Sequence, residues 1–452
     1  MRLAVSLQNG NFVPENTLND FFDMKRFFII LLLCRPGYGH AQEVFSIVAH
    51  PGENADTEVN ISWASSSRGT FVGYAPLKKT RIASDRYSRT IHPQQEELCT
   101  TFDSIYSKTA DNENFHEYPH FIKCGAVIKG LKKNTEYIFY IYGQRNGKTI
   151  ALSPLHHFKT AGAREWSATV ISDFHSYPPL PGRLKAAMAM VDKTLQYDPS
   201  TDWILHLGDV VAWGGSYSFW QRMYEEPVFA RYAWAGLNGN HDNMTRQYGQ
   251  SNRFFRDTNY VPRNGYDGQE GVCYHFRYGD ALFIMLNNEA MFKDNDLEKA
   301  QQWVRQVVTK ARQGKKAPRY IIVGEHYQWF YGNNGKSSQY SRWQQLFDEL
   351  GIDLALAGNN HIYLRTDKLY GGQVTASANK GTLYLQTSSS DNERGQDMGE
   401  LTNNNDLIRC RWTEGGRTVS ALNMKVTPHH ILLTLLDRHG NVCDQAELKP
   451  KK

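Results

Sequence analysis

Aspartate, histidine and asparagine side chains recur in five short motifs in the second part of this 452-residue chain. Two divalent metal ions held close together need a carboxylate that bridges them and imidazole and oxygen ligands around it, which these residue types supply. The pattern favours a site that binds metal and leaves positions open for water and a substrate. In chain order, the motifs are Asp173-Phe174-His175, Gly208-Asp209, Gly239-Asn240-His241-Asp242, Val323-Gly324-Glu325-His326 and Gly358-Asn359-Asn360-His361.

Several of these motifs begin where an apolar segment ends. Residues 168–172 run directly into Asp173, residues 203–207 reach Asp209 after one glycine, and a third apolar segment precedes His326. In an open α/β sheet, the loops beyond the carboxyl ends of the strands form the ligand crevice. We therefore expect these side chains to converge in space although they lie far apart in the sequence.

The segments around the motifs predict the elements that position them. From Trp166 onward, strand-like apolar runs alternate with longer amphipathic segments, which is typical of βαβ units. The amphipathic segments 183–195, 296–311 and 341–350 are expected to be helices, and a β-hairpin is expected from residue 431 onward.

Residues 43–160 have a different pattern, in which short runs alternate apolar and polar residues between turn-forming segments. The clearest runs are 59–63, 70–74 and 136–142. They predict a β-sandwich, so the chain should contain two domains, as its length also suggests. The sandwich has no residues at catalytic spacing, which favours a packing role; attachment to glycans is the alternative.

Composition narrows the class of protein only a little. The chain is 40% hydrophobic and 21% charged, which is ordinary for a globular protein. Its formal charge is +5 and its lysines and arginines are spread along the chain, so no nucleic-acid footprint is predicted.

The segment 24–41 has the features of a secretory signal peptide. Basic residues follow Met24, an apolar run covers 27–34, and small residues flank a cleavage point near Ala41. The run is too short to span a bilayer, and no later segment approaches the roughly 20 apolar residues that a spanning helix needs. We expect a secreted or periplasmic protein that starts at Met24, with residues 1–23 as a mis-assigned extension.

Cleavage there would leave five cysteines in an oxidising compartment, an odd number that cannot all form disulfides within the chain. The sequence has no CxxC spacing, which disfavours thiolate metal ligands. Cys99 with Cys124 is the first pair to test. The remaining cysteines are Cys273, Cys410 and Cys443.

The five motifs, in this order, resemble the signature of the metallophosphoesterase (calcineurin-like) superfamily. Segments 274–280 and 361–365 resemble purple acid phosphatases most closely, and segment 130–137 resembles the end of a fibronectin-III-like module. The resemblance implies an N-terminal β-sandwich over 43–160 joined to a four-layer α-β-β-α metallophosphoesterase domain over 166–448.

By the same resemblance, the site would hold two metal ions, drawn from Fe, Zn and Mn. Asp209 would bridge the two ions. The second ion would also be held by Asn240 and His326, with Asn359 as a further oxygen ligand. The ligands of the first ion would be Asp173, His175, Asp209 and His361.

The reaction implied by the resemblance is hydrolysis of a phosphate ester, in which a hydroxide that bridges the metals attacks phosphorus in line. His241 would stabilise the transition state and protonate the leaving oxygen, and Asp242 would orient His241. Asn240, His241 and Arg365 would contact the substrate. That substrate is expected to be a small phosphorylated molecule or an exposed phosphoryl group, cleaved in an acid-phosphatase-like reaction.

Two positions depart from the purple acid phosphatase pattern. Ala212 stands where that family has a metal-binding tyrosine, so we expect a colourless protein in which His175 supplies the missing ligand. Asn359 stands where a histidine is expected, and a carboxamide is the weaker ligand for zinc or iron.

Two alternatives to a phosphomonoesterase stay open. One is a phosphodiesterase of the same fold. The other, suggested by Asn359, is a one-metal protein that binds a phosphorylated ligand without turnover.

Overall fold

A computed structural model describes most of the chain from Gln42 onward. The expected signal peptide, the extension before it and Cys99 lie outside the described residues, so export and the Cys99–Cys124 pairing stay predictions. The described ranges are 42–77, 89–98, 121–245, 249–250, 253–291, 294–314, 316–331, 335–389, 407–412 and 419–451.

Two antiparallel sheets make up the N-terminal part. Their strands are β1 (Val44–Pro51), β2 (Val59–Ser65), β3 (Phe71–Pro76), β4 (Arg89–Ile91), β5 (Gln94–Leu98), β6 (Phe121–Ile128), β7 (Glu136–Arg145), β8 (Lys148–Ala151) and β9 (His156–Lys159). One sheet has the order β1-β2-β6-β5; the other has the order β4-β3-β7-β8, with β9 beside β7. Ile61 and Phe139, one from each sheet, share a buried core, as a sandwich requires.

The rest of the described chain alternates strands and helices. Its strands are β10 (Trp166–Ile171), β11 (Trp203–His206), β12 (Ala233–Gly236), β13 (Met244–Thr245), β14 (Gly249–Gln250), β15 (Tyr274–Tyr278), β16 (Ala281–Met285), β17 (Tyr320–Gly324), β18 (Leu354–Ala357), β19 (Tyr363–Tyr370), β20 (Gln373–Val374), β21 (Thr382–Gln386), β22 (Ile408–Trp412), β23 (Ser420–Val426), β24 (Ile431–Asp437) and β25 (Val442–Leu448). Its helices are α1 (Gly182–Tyr197), α2 (Tyr217–Tyr224), α3 (Arg253–Thr258), α4 (Asp294–Gln313) and α5 (Ser338–Leu350). The three expected helices correspond to α1, α4 and α5, and the expected hairpin is β24–β25.

These strands form two large mixed sheets. The six-stranded sheet has the order β12-β11-β10-β23-β24-β25, in which β10, β11 and β12 run parallel. The eight-stranded sheet has the order β15-β16-β17-β18-β21-β19-β20, with β22 beside β19. Its central strands β16, β17, β18 and β21 run parallel. Parallel strands matter for function because their carboxyl ends lie along one edge of each sheet.

The two sheets pack face to face and carry helices on their outer faces. Between them, the ring of Trp203 lies 5.0 Å from that of Tyr278. On one outer face, Thr194 of α1 forms a hydrogen bond of 2.9 Å with Thr169 of β10. On the other, α4 and α5 bury residues such as Trp303 against the eight-stranded sheet. The predicted four-layer α-β-β-α arrangement is confirmed.

The N-terminal sheets are attached to the α/β part by buried polar contacts. Nδ1 of His50 lies 2.8 Å from the carbonyl oxygen of Trp234, and Asn60 donates a hydrogen bond of 2.9 Å to the carbonyl of Tyr260. Residues 42–452 form one compact unit, and the predicted domain boundary between residues 160 and 166 stays a prediction. Among the helices described, none combines the length and the apolar character needed to cross a membrane.

Candidate metal centre

Five parallel strands bring the motif residues to the edge where the two large sheets meet. In the six-stranded sheet, Asp173 follows β10, Asp209 follows β11 and Asn240 follows β12. In the eight-stranded sheet, His326 follows β17 and His361 follows β18. The convergence expected from the strand-end positions is therefore observed.

Asp209 lies at the centre of the cluster. Its Oδ2 is 3.2 Å from Nε2 of His175 and 3.2 Å from Nε2 of His326. Beside this group, Nε2 of His361 is 3.6 Å from Oδ1 of Asp173. One carboxylate oxygen is thus shared between an imidazole from the six-stranded sheet and an imidazole from the eight-stranded sheet.

Three overlapping sets of side chains place their ligand atoms within 4.8 Å of one another in the described part of the chain, and all of these side chains are buried. Because the sets overlap, the cluster extends beyond a single three-ligand site. His241 belongs to one of them, with its ring centroid 4.5 Å from that of His175. The sets are Asp173-His175-His361, His175-Asp209-His241 and Asp173-Asp209-His326.

The backbone at five of the seven candidate ligands is left-handed, a conformation that costs an L-residue of order 1–3 kcal/mol. Such strain persists only where the surrounding structure fixes it, and it concentrates at functional sites. Asparagine and aspartate tolerate this region better than other non-glycine residues do. The φ angles are 57° at Asp173, 46° at His175, 57° at Asp209, 73° at Asn359 and 57° at His361.

Two motif glycines are needed because the chain segments approach very closely. A Cβ at Gly239 would lie 2.2 Å from the backbone nitrogen of Asp209. A Cβ at Gly208, where φ is +95°, would lie 2.5 Å from Nδ1 of His326. Any side chain at either position would displace a candidate ligand.

The ring orientations fit metal binding. Nδ1 of His326 lies 2.8 Å from the carbonyl oxygen of Leu207, and Nδ1 of His241 lies 2.8 Å from that of Ala212. A backbone carbonyl that accepts Nδ1–H fixes the tautomer and leaves Nε2 as the ligand atom, an arrangement common around protein-bound metals. Together with the buried carboxylates, this donor set suits divalent ions that take nitrogen and oxygen ligands.

The buried carboxylates and imidazoles of the cluster shift one another's pKa values. Burial raises the pKa of Asp173 to about 6. For Asp209, burial acts in the same direction, but the nearby charges of His326 and His241 outweigh it and hold the pKa well below the usual range. Burial opposes the charged form of His326, yet the charge of Asp209 raises its pKa to about 10. Without metal, protons on imidazole therefore balance the carboxylate charge.

The sequence of this region matches a known family. Residues 167–363 match the model of the calcineurin-like phosphoesterase family. The chain contains a calcineurin-like phosphoesterase domain. This family's fold implies divalent metal ions and phosphorylated substrates. No curated protein matches the chain in sequence.

Solved structures share the architecture of the phosphoesterase domain and of the sheets before it. The purple acid phosphatase PPD1 from yellow lupin (Lupinus luteus) seeds is 16% identical, with a TM-score of 0.69 over 91% of this chain and 75% of its own. The structure of PhoD is 11% identical, with a TM-score of 0.56 over 91% of this chain and 90% of its own. At such low identity, these likenesses concern the fold.

We expect metal binding by the phosphoesterase domain to strengthen as pH rises. His326, whose pKa is raised to about 10, carries a proton at neutral pH that must leave before Nε2 can bind a metal. Apparent affinity for zinc should therefore increase from pH 6 to pH 8, with release of at least one proton. Calorimetry in buffers of different ionisation enthalpy measures that release; an affinity and a heat that do not depend on pH or buffer would contradict the prediction.

The two asparagines predicted as ligands differ in their surroundings. Oδ1 of Asn240 lies 3.1 Å from Nε2 of His326, the residue predicted to share the second ion with it. The backbone N–H of Asn359 donates to Oδ1 of Asp173 over 3.1 Å, and its side-chain Nδ2 donates to Gln328. Its remaining side-chain atom, Oδ1, is the one that can serve as a ligand.

The structure gives Asp242 a different role from the predicted one. Its Oδ2 accepts hydrogen bonds from the backbone N–H groups of Gly239 and Val210, and its Oδ1 accepts one from Val211. The ring of His241 is instead fixed through the carbonyl of Ala212. Asp242 thus joins the two loops that carry Asp209 and His241, and it does not orient the imidazole as expected.

Arg365, which is predicted to contact the substrate, pairs with a carboxylate of the protein, and its contact with substrate stays a prediction. Its Nε lies 2.6 Å from Oδ2 of Asp444, and its Nη2 lies 3.0 Å from Oδ1 of the same carboxylate. This bidentate pair joins the buried Arg365 to the partly buried Asp444 and links β19 to β25. The guanidinium is already matched by a carboxylate, so Arg365 has a structural role between the two sheets.

Sequence reasoning missed Asn288, which holds the segment around His326. Its Oδ1 accepts hydrogen bonds of 2.8 Å from the backbone N–H of His326 and 2.9 Å from that of Tyr327. Its Nδ2 donates to Oε2 of Glu325 over 2.7 Å. Asn288 lies three residues after the end of β16, so the same strand-end signal could have identified it.

Replacing Asn288 with leucine should weaken the metal bound by His326 by about 10- to 100-fold, the usual effect of losing a residue that orients a ligand. Competition with a chromophoric chelator measures the change. The matched control is Asn259→Leu, because Asn259 is equally buried but bonds to Tyr224 and Phe255. Equal weakening in both variants would show a general loss of stability and no specific role for Asn288.

Proposed function

We propose that this chain is a metal-dependent phosphomonoesterase with a two-metal site. The observation that supports this most directly is the position of Asp209, whose Oδ2 lies 3.2 Å from Nε2 of both His175 and His326. A carboxylate between two groups of ligands suits the bridging position of a binuclear centre.

The candidate ligands around Asp209 form two groups, one for each proposed ion. Asp173, His175 and His361 would hold the first, and Asn240 with His326 would hold the second, as the sequence predicts. Oδ1 of Asn359 is available as a weaker ligand beside them. When bound, the ions would supply Lewis-acid polarisation of the phosphoryl oxygens and an activated water nucleophile.

His241 is the best candidate for the acid that protonates the leaving oxygen. Its Nδ1 is engaged by the carbonyl of Ala212, and the opposite nitrogen is left to face the cluster. It is 7% exposed, whereas Asp209 and His326 are 1% exposed, so His241 is the more accessible of these side chains. A proton donor must lie within about 3 Å of the oxygen that it protonates, and this position allows that approach.

The likeness to one solved phosphatase supports a monoester substrate. Of the two solved structures described above, the one with the higher TM-score is a purple acid phosphatase. Because Ala212 stands in place of the expected tyrosine, we propose a colourless relative of that type. The candidate ions are zinc, manganese and iron.

We also propose that the protein is exported. The basic, apolar and small-residue regions of segment 24–41 support a secreted or periplasmic location. N-terminal sequencing of secreted material tests this proposal, and a mature protein that begins before residue 24 would contradict it.

The decisive experiment strips the purified protein of metal and resupplies zinc, manganese, iron, magnesium or calcium separately. Hydrolysis of 4-nitrophenyl phosphate and bis(4-nitrophenyl) phosphate is measured, and bound metal is counted in the same samples. Monoester turnover that follows filling of two sites supports the proposal. Preference for the diester indicates a phosphodiesterase, and one bound metal without turnover indicates a phospho-ligand-binding protein.

A further inference from the structure

Gln386, the last residue of β21, lies between the loops that carry His326 and His361. It is fully buried, although glutamine is mostly a surface residue in proteins. β21 pairs in parallel with β18, and Gln386 is the register partner of Ala357, the residue that ends β18. Gln386 is therefore at the end of a further parallel strand, at the edge where the candidate metal ligands lie.

The carboxamide of Gln386 pairs with the backbone of Phe330, in the loop after β17. Its Oε1 accepts a hydrogen bond of 3.2 Å from the N–H of Phe330, and its Nε2 donates one of 3.1 Å to the carbonyl oxygen of the same residue. A side-chain amide that bonds both backbone groups of one residue acts as a neighbouring β-strand would. The pair holds the backbone of Phe330, which follows His326 in the same loop.

The same carboxamide reaches the loop after β18. Nε2 of Gln386 also donates a hydrogen bond of 3.0 Å to Oδ1 of Asn360, the residue before His361. Nδ2 of Asn360 in turn donates one of 3.2 Å to the carbonyl oxygen of Phe330. Gln386, Asn360 and the backbone of Phe330 thus form a closed set of hydrogen bonds, which we name the amide clamp.

The amide clamp joins the two loops in a buried region. Phe330 and Asn360 are buried as well, and the ring of Phe330 lies 5.0 Å from that of Tyr340 in α5. Nearer to the strands, the N–H of Gly358 donates a hydrogen bond of 2.9 Å to the carbonyl oxygen of His326. Because each buried polar group in the clamp is matched by another, removal of one leaves its partners unsatisfied.

This arrangement bears on the distance between the two proposed ions. His361 is proposed to hold the first ion and His326 the second, and the clamp ties the loops that carry them. In two-metal sites, ions about 3.5–4 Å apart stabilise both the attacking and the leaving oxygen. A contact that fixes the two loops relative to each other therefore fixes a spacing on which the reaction depends.

We infer that the amide clamp sets the separation of the two metal ions and that Gln386 is its central residue. The inference rests on the proposed two-metal site, because it assigns His326 and His361 to different ions. Gln386 acts through the two loops, so it is a positioning residue and not a catalytic one. It lies outside all five motifs of the sequence.

The test loads the wild type, Gln386→Glu and Gln386→Met with Mn²⁺. An ionised glutamate keeps the shape of the side chain but has no donor for Phe330 or Asn360, and methionine also removes the acceptor. Both variants should bind Mn²⁺ about 10- to 100-fold more weakly, the range for loss of a residue that orients metal ligands. Electron paramagnetic resonance should show a magnetic coupling between the two ions that differs from that of the wild type. Asn360→Ala should act in the same direction and add little to Gln386→Met, because both substitutions open the same clamp.

Gln301→Met is the matched control, because Nε2 of Gln301 also donates to a backbone carbonyl, that of Arg342, and joins α4 to α5. Thermal unfolding is measured for every variant. With two ions bound to the wild type, unchanged affinity and coupling in Gln386→Met, or an equal change in Gln301→Met, would show that the inference is wrong.

If Gln386→Met does not fold, Gln386→Glu and Asn360→Ala decide the question by the same criteria. A wild-type protein that binds a single Mn²⁺ would instead overturn the proposed two-metal site and this inference with it. Metal content and affinity separate these outcomes without any measurement of turnover.

Discussion

The Asp209→Asn variant should lose metal from both sites, and its kcat on 4-nitrophenyl phosphate should fall by at least about 10³-fold. The side chain keeps its shape but loses the charge that lies 3.2 Å from two imidazoles, one from each sheet. A neutral amide cannot bridge two cations as a carboxylate does. Metal analysis by mass spectrometry, combined with steady-state kinetics, measures both effects.

Asp353→Asn is the appropriate control for that variant. Asp353 is also a buried aspartate, but it accepts a hydrogen bond from the backbone of Ile321 and pairs with Lys451. The Asp353→Asn variant should be less stable than the wild type but should keep its metals. If Asp209→Asn kept two metals and a kcat within tenfold of the wild type, the assignment of Asp209 as the bridge would be wrong.

The His241→Ala variant should keep its metals and lose about 10²- to 10⁴-fold in kcat, the range for removal of a general acid. The loss should depend on the leaving group. An alkoxide leaves poorly unless it is protonated, whereas 4-nitrophenolate leaves readily without a proton. We therefore expect the larger loss for alkyl phosphates and a smaller one for 4-nitrophenyl phosphate.

That difference provides an internal control, because both esters share the same metals and the same phosphoryl group. A uniform loss on both esters would indicate that His241 stabilises the phosphoryl group and does not donate the proton. Loss of a metal in the same variant would indicate that His241 is a ligand instead. That role is possible because His241 forms one of the three-residue sets, with His175 and Asp209.

The architecture could be predicted largely from sequence because local patterns determine it. The apolar runs before Asp173 and Asp209 are β10 and β11, and the helical periodicity of 296–311 is found in α4. Parallel strands put their carboxyl ends on one edge, so residues that follow strands meet without any further information.

The partners of Asp242 and Arg365 could not be predicted from sequence, for a common physical reason. Sequence adjacency suggested that Asp242 contacts His241, but the turn directs its carboxylate to backbone N–H groups of the preceding loop. Arg365 pairs with Asp444, which lies 79 positions later on a different sheet. Side-chain pairing between distant segments depends on the packing of the two sheets, which no local pattern specifies.

Asn288 illustrates the opposite case, in which the signal was present but ambiguous. Asn287 and Asn288 are consecutive polar residues after β16, and only the structure distinguishes their partners. Asn287 binds Asn238 and Gln269, whereas Asn288 binds the backbone at His326. A strand end thus identifies a functional region, while the fold decides which residue acts in it.

The left-handed backbone at residue 359 offers a conformational reason for the asparagine found there. With φ at 73°, this position suits asparagine, one of the few residue types other than glycine that adopt the left-handed region readily. Asn359 therefore combines a weaker ligand atom with a backbone conformation that it tolerates well, so stability and activity are balanced within one residue. A histidine introduced at this position would share the left-handed conformation of His175 and His361, and its bond to the metal would have to offset about 1 kcal/mol of strain or more.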